Sequence, residues 1–418
     1  MGVSRRGSLT ALLSAPLAVM AARAMAQAAP TAAPPPSAFT RAPRDNFHIT
    51  GTYLNAAYTH PLPLDAAAAM RDWAAMRADP GARPDRAPDA KGLFAKLVNA
   101  QPNEIAAVPS TSYAESFVLG ALGLRSGGRG KVVTDILHFD GSLYTYGELG
   151  KQGLDVVILP MTPEGRIDMN RLEAAVDANT KLVSISLVSM VNGFEHDLKQ
   201  VCAIAHRKGA KVYVDAVQGV GAVPLDVKVS GVDFLACSTF KWLMGDFGYG
   251  FLYVRGDLLP QIKRPEYGYH QPKTLAYHAL PGDKPGPVLF EATPENGTAP
   301  GYFEVGSLGT AAQVAAGVSL GNILSIGVDE IQRRRQPLIE RVRQAFSGRY
   351  QPLTPPDSRS GVIAFALPGA RQALRPRLQA AGVNIQVYEN RFRVSPSIYN
   401  TMDDVERLIE VVAPKGQA

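Results

Sequence analysis

Residues suited to chemistry cluster where apolar runs end. "DFLACSTFKWL" closes an apolar run on Ser238 and then carries Lys241, an amine beside a hydroxyl. A lysine held next to a phosphate-binding hydroxyl is placed to form an imine with an aldehyde. "KVYVDAVQG" closes on Asp215, with Gln218 three residues on. A carboxylate there can hold a proton on a ring nitrogen, because each charge favours the other. In "VPSTSYAESFVLGAL", Thr111 and Ser112 open a helical pattern, and free backbone N–H groups with the helix dipole make an anion site. In "LHFDGSLYTYGEL", Phe139 follows an apolar run and can stack on a planar ring. Each feature alone also fits a plain role: a solvated loop lysine, a turn carboxylate, an ordinary helix start, a core or lid aromatic.

The elements that position these residues are short. Ile105–Val108, Lys131–Ile136, Asp155–Leu159, Leu182–Leu187, Lys211–Val214 and Asp233–Cys237 read as strands, with helix-period stretches such as Leu172–Ala178 and Leu198–Lys208 between them. Such alternation predicts an α/β fold with a mainly parallel sheet covered on both faces. "GYGFLYV" follows its neighbour too closely for a helical crossover and is expected antiparallel. Ser112 and Glu115 stand at capping-box spacing, and Ala114, Phe117, Val118, Ala121 and Leu122 mark one helical face. All four candidate sites fall at predicted strand ends, where open α/β sheets bind ligands. A phosphate site, a ring-nitrogen carboxylate and an imine-forming lysine are together the anchors pyridoxal phosphate requires. No metal site is expected. A dinucleotide site lacks its Gly-x-Gly-x-x-Gly after the first strand.

Length and composition agree with an enzyme of this size. The chain has 418 residues, 46% of them hydrophobic, enough for a large core, and a net charge of +6 with no long basic block, so nucleic-acid binding has no support. Arg333-Arg334-Arg335 lies in a helical pattern and is expected on a solvated face. Of the two cysteines, Cys202 and Cys237, the second sits in an apolar run as a small buried hydrophobe. At the N-terminus, Arg5-Arg6, an apolar run from Leu9 to Ala22 and Ala24-Met25-Ala26 resemble a twin-arginine export signal. Residues 1–26 are therefore expected to be a signal peptide, 27–46 an Ala/Pro-rich linker, 47–307 a large cofactor-binding domain and 308–418 a small α+β domain. The mature protein is expected in the periplasm, off the membrane. A helical pattern runs from Thr310 toward Phe346, followed by a strand at Gly361–Ala366, a helix near Arg371–Ala380, strands around Val383–Val394 and a helix Met402–Val412. Residues 256–303 show little periodicity, which marks a functional or interfacial segment.

From about residue 50 onward the chain resembles the class V, fold-type I pyridoxal-phosphate enzymes, which include cysteine desulfurases, kynureninases and isopenicillin N epimerase-like proteins. The resemblance rests on "YLNAAYTHP", on "AHRKGAKVYVDAVQGVGAVPLDV" with "VDFLACSTFKWLMGDFGYGFLYV", on "YFEVGSLGTAA" and on "RFRVSPSIYNTMDDVERLI". It implies a seven-stranded large domain, a homodimer with shared sites and an amino acid or amine substrate. It makes Lys241 the Schiff-base lysine and proton shuttle, Asp215 the pyridinium partner, and Gln218 the contact to the ring hydroxyl. Phe139 stacks on the ring; Thr111, Ser112 and Ser238 bind phosphate; Ser307 reaches the neighbouring subunit's phosphate; and Arg393 clamps the substrate carboxylate.

Departures narrow the reaction. Desulfurases carry a nucleophilic cysteine shortly before that arginine, whereas Val383–Phe392 holds none. Phe240 stands where they have His, and Met190 where they have Asn. "VNGFEHDL" is closer to the epimerase-like and kynureninase-like members, so epimerase or aminotransferase chemistry is expected first, with C–S or C–C lyase chemistry as the alternative. A non-catalytic binding protein on the same fold is the other reading; retention of Lys241, Asp215, Gln218 and Arg393 argues against it.

Overall fold

Val, Ile, Leu and Ala fill the strands almost without interruption, as strands buried on both faces require. In the computed structural model, which describes residues 43–79, 81, 88–125, 129–278, 280, 282 and 290–414, these runs form one sheet. After a short strand β1 (Thr52–Tyr53) come β2 (Ile105–Val108), β3 (Lys131–Asp135), β4 (Asp155–Leu159), β5 (Thr180–Ser186), β6 (Lys211–Asp215), β7 (Phe234–Ser238) and β8 (Gly250–Val254). Their spatial order is β2-β8-β7-β6-β5-β3-β4 in a seven-stranded sheet. Strands β3 to β7 pair in parallel, and β8 runs antiparallel to both β7 and β2, as its short connection dictates. The expected signal peptide and nearly all of the linker lie outside the described residues.

Alternation along the strands divides the core in two. Val133, Val183, Ile185, Val212, Val214, Leu235 and Cys237 belong to one apolar layer, which includes residues of helices Ala90–Val98, Leu198–His206 and Thr310–Ile326. Val132, Leu182, Tyr213, Phe234, Ala236 and Leu252 belong to the other, with helices Thr111–Ala121 and Asp140–Lys151. The same alternation sends Ser184, Ser186, Asp215 and Ser238 to this second face.

The described residues of the segment 256–303 include two antiparallel strands, β9 (Pro272–Tyr277) and β10 (Phe290–Pro294), and a helix Ala299–Phe303. Past it, the expected single helix is two, Thr310–Ile326 and Val328–Phe346, bent by 78°. Gly327 lies at φ 85, a conformation that costs glycine little and stops the first helix. Among the described residues no single helix is long and apolar enough to cross a membrane. The C-terminal sheet orders β11 (Gln351–Pro352), β12 (Ile363–Ala366), β15 (Arg391–Val394) and β14 (Gln386–Val387). Strand β13 (Val383–Asn384) pairs in parallel with β1, so residues 52–53 are tied to the C-terminal part of the chain.

Arg335 departs from the expected solvated face. Arg333 and Arg334 bond Glu330 on the outside of their helix, but Arg335 is only 1% exposed. Its Nη2 donates to Ala222 O at 2.7 Å, and its guanidinium lies 5.2 Å from the Trp242 ring centroid. Burial lowers its pKa to about 10. The neighbour it packs on explains the turn inward. Trp242 sits in a small buried cluster with Ala56, Ala57, Ala222 and Val362, joining the segment after β7 to the N-terminal turn and to β12. Gly361 lies so close to this ring that an added Cβ would collide with it. Gly361→Ala is therefore expected to destabilise the fold by about 1–3 kcal/mol and to change tryptophan emission. A urea-unfolding midpoint equal to wild type would show that Trp242 is not the keystone described.

Candidate functional site

The helix start expected to bind an anion is built from Ser110, Thr111 and Ser238. Ser110, not Ser112, caps the helix Thr111–Ala121: its extended backbone (φ −166, ψ 170) lets its hydroxyl accept from Tyr113 N. The expected Ser112–Glu115 capping box does not form, because Glu115 turns inward and is 4% exposed. Thr111 N donates to Ser238 Oγ at 3.0 Å, and Tyr213 OH donates to Thr111 O at 3.2 Å. The helix start is thus fastened to the ends of β6 and β7. Ser238 accepts here and keeps its own proton to donate, while Ser112 stays exposed at the same mouth.

Beyond Ser238 the chain makes a tight loop. Thr239 Oγ1 lies within 2.6 Å of Asp246 O and 2.9 Å of Tyr249 O, and Gly245 N donates to Thr239 O at 2.8 Å. Met244 takes a left-handed φ of 57, a strained choice for a non-glycine residue that the surrounding packing holds. His60 N donates to Phe240 O at 3.0 Å, closing the N-terminal turn over the loop. The result fixes Lys241. Its Nζ stands 5.5 Å from the Phe240 ring centroid, and Phe240 stacks on Phe247. Burial lowers the lysine pKa to about 8, with Asp215 pulling it up and Arg393 pushing it further down.

Asp215 ends β6 and is 3% exposed. One carboxylate oxygen accepts from Val217 N at 2.9 Å. Burial raises its pKa; His138, the Val217 bond and Lys241 oppose that rise. A buried carboxylate so sparsely bonded is suited to a cationic N–H brought by a ligand. Gln218 is held at both ends of its amide: Nε2 donates to Ala57 O and Oε1 accepts from Trp242 Nε1, each at 2.8 Å. One N–H of Nε2 is left over to meet a ligand hydroxyl.

Arg393, on β15 and 2% exposed, donates through Nη1 to Met190 O at 2.8 Å. Its buried Nε has no partner among the described residues, and burial lowers its pKa. Asp215 and Arg393 therefore both lie within electrostatic reach of Lys241, although the three come from separate parts of the chain. Phe139, half-buried, precedes helix Asp140–Lys151 and lies against Gly141, where any Cβ would clash with its ring. Ser307 is exposed and its hydroxyl bonds Tyr269 OH; among the described residues no bond ties it to the others.

Taken together, the features fit pyridoxal phosphate: an anion-binding helix start, a buried carboxylate with spare capacity, and an amine whose pKa burial has lowered to about 8. The sequence profile described as Aminotransferase class-V matches residues 84–408. The chain belongs to the class-V aminotransferase family. A probable cysteine desulfurase of Methanothermobacter thermautotrophicus is 30% identical over 304 residues, 71% of this chain and 72% of that protein. An uncharacterized aminotransferase, YcbU, of Bacillus subtilis is 28% identical over 338 residues, 78% of this chain and 83% of that one. The crystal structure of the cysteine desulfurase CsdA from Escherichia coli superimposes with a TM-score of 0.76 at 22% identity, covering 88% and 96% of the two chains. A lysine-to-alanine variant of C-DES, with glycine covalently linked to its PLP cofactor, gives 0.74 at 19%, covering 88% and 97%. This class-V protein thus has the fold-type I architecture and is a pyridoxal-phosphate-dependent enzyme.

Sequence reasoning missed Trp242 and His138, and assigned Glu115 a cap. One signal was available: Ser184 and Ser186 alternate inside an apolar strand, which announces polar partners on one face.

The lysine pKa makes a test. Pyridoxal phosphate uptake by cofactor-free enzyme, followed by visible absorbance, is expected to rise about tenfold between about pH 7 and about pH 9 and then level off. A solvated lysine would instead give a rise of about a hundredfold with no plateau. Lys241→Ala should give no such band.

Proposed function

We propose that this chain is an exported, homodimeric pyridoxal-phosphate enzyme acting on an amino acid or amine, by epimerase- or aminotransferase-type chemistry that uses no protein thiol. The observation that carries this reading is where the sulfur is. Cys202 and Cys237 are the chain's two cysteines, and both are buried. Burial pushes the Cys202 thiol up to about 12 and the Cys237 thiol well above the ordinary range. No cysteine stands on Val383–Phe392, the segment leading to Arg393. A persulfide relay needs an accessible thiolate, and neither thiol supplies one.

In this reading the cofactor supplies an electron sink for the bonds at the substrate α-carbon. The chain supplies the rest. The hydroxyls of Thr111, Ser112 and Ser238 would hold the phosphate, the Thr111 N–H being given to Ser238 Oγ. Asp215 would keep a proton on the ring nitrogen, Gln218 would donate to the ring hydroxyl and Phe139 would cover one ring face. The unpaired edge of Arg393 takes the substrate carboxylate, while its bond to Met190 O fixes the guanidinium plane. Lys241, near its pKa at neutral pH, both removes and returns the α-proton. Ser307, exposed beside Tyr269, would reach a second subunit's phosphate in this reading, and its exposure is what supports that role. Export rests on Arg5-Arg6 and the apolar run after them. A twin-arginine route carries folded proteins, which suits a cofactor loaded before export.

Replacing both cysteines with alanine is expected to leave turnover within about threefold of wild type, since each acts only as a small hydrophobe. Total loss with an intact cofactor band would point to a thiol relay instead. A screen of D- and L-amino acids, read by band shift, product chirality and released oxo acid, separates epimerase and aminotransferase from the lyase alternative. Racemisation or amino transfer is expected; β-elimination products alone would overturn the reading. Arg5→Lys with Arg6→Lys should trap the protein in the cytoplasm, and unchanged export would remove the localisation.

A further inference from the structure

A closed polar network lies on the same sheet face as Asp215, and none of the roles above uses it. Glu115, from the helix that opens at Thr111, accepts at Oε1 from Tyr146 OH at 2.7 Å and Ser184 Oγ at 2.9 Å. Its Oε2 accepts from Ser142 Oγ at 2.5 Å. His138 Nε2 lies 3.4 Å from Glu115 Oε1 and 3.1 Å from Ser184 Oγ, and His138 Nδ1 lies 2.8 Å from Ser186 Oγ. Every member is buried: Glu115 at 4% exposure, His138 at 1%, Ser184 and Tyr146 at 0%.

The hydroxyl bonds place one ring proton, and the surrounding carboxylates favour the second. Ser184 gives its hydrogen to Glu115, so at His138 Nε2 it can only accept, and that nitrogen carries a proton. Nδ1 lies 2.8 Å from Ser186 Oγ, which can accept a second ring proton, and the carboxylates of Glu115, Asp215 and Asp135 around the ring favour that imidazolium form. Glu115, with three hydroxyl and imidazole donors around each other's reach, is built to be an anion. The neighbour that this matters to is Asp215, which pairs in register with Ser186 across β5 and β6. The imidazolium is thus bonded to the residue that stands beside Asp215.

We propose that Glu115 and His138 form a buried ion pair whose imidazolium is the counter-charge that keeps Asp215 ionised, and that both are positioning residues acting through Asp215. The proposal rests on the reading that Asp215 meets the cofactor's ring nitrogen. Without the positive charge, a carboxylate at 3% exposure with a single backbone donor takes up a proton and ceases to hold one on a ring nitrogen. The groups that face His138 are Glu115 from its helix, Asp215 from β6 and Asp135 from the end of β3. Tyr146 and Ser142 approach Glu115 from helix Asp140–Lys151, Lys241 and Tyr213 face Asp215, and His196 faces Asp135 at 3.1 Å. The directions agree with the geometry: the histidine's bond to Glu115 raises its pKa against burial, and the same bond lowers the glutamate's.

Glu115→Gln preserves size and removes the charge, and ¹⁵N-histidine NMR on cofactor-free protein reads the consequence directly. Wild-type His138 is expected as an imidazolium at neutral pH, and in Glu115→Gln its proton affinity should fall at least about tenfold. In the pyridoxal-phosphate-loaded protein, the pH midpoint of the visible band should move in Glu115→Gln and in His138→Asn in the same direction as in Asp215→Asn. A neutral His138 in wild type overturns the proposal. So do unmoved midpoints in Glu115→Gln and His138→Asn beside a shifted one in Asp215→Asn, and that result leaves the Asp215 reading intact. An unmoved Asp215→Asn sinks the ring-nitrogen reading and the proposal that rests on it. If Glu115→Gln does not fold, the wild-type NMR state and His138→Asn decide alone.

Discussion

The constraint on which this structure depends is the cost of taking charge out of water. Asp215, Lys241, Arg393, Glu115 and His138 are all largely withdrawn from solvent, within or beside one sheet face. Isolated, each would shed or gain a proton to become neutral. Lys241 does so in part, with its pKa lowered to about 8, while Arg393, a guanidinium whose ordinary pKa is far higher, donates to Met190 O. The carboxylates are held by hydroxyls, backbone N–H groups and an imidazole instead. The site is a set of mutually dependent compensations and not a row of independent residues.

Those compensations explain architectural details that otherwise look incidental. Serines at alternate positions of β5 would weaken an ordinary buried strand. Here they supply the bonds of His138 and Glu115. Arg335 sits buried over Trp242, whose indole in turn holds Gln218. One contact chain thus runs from helix Val328–Phe346 through Trp242 to Gln218, the residue proposed to meet the ring hydroxyl. The strained Met244 and the two reaches of Thr239 shape the short loop that aims Lys241.

Much of this was readable. The strands from Ile105 to Cys237 emerge within a residue or two of their observed ends, because β-branched runs bounded by helical periods leave few alternatives. The antiparallel entry of β8 followed from connection length alone. Periodicity failed at Gly327, where apolar residues continue across a break that only the glycine's positive φ reveals. It failed for Glu115, whose capping-box spacing is equally compatible with an inward-facing carboxylate. It failed again for Arg335, since a run of three arginines on a helix necessarily spans more than one face.

The sequence by itself determined which chemical groups were available, the order in which they meet the strand ends, and the absence of a thiol before Arg393. Local signals sufficed there, because an apolar run and the residue that ends it are neighbours in the chain. Only the tertiary structure decided which charges face one another. His138 lies 23 positions from Glu115, 48 from Ser186, and further still from Asp215. Protonation states depend on distances through space and on the water excluded there. No spacing along the chain encodes either one.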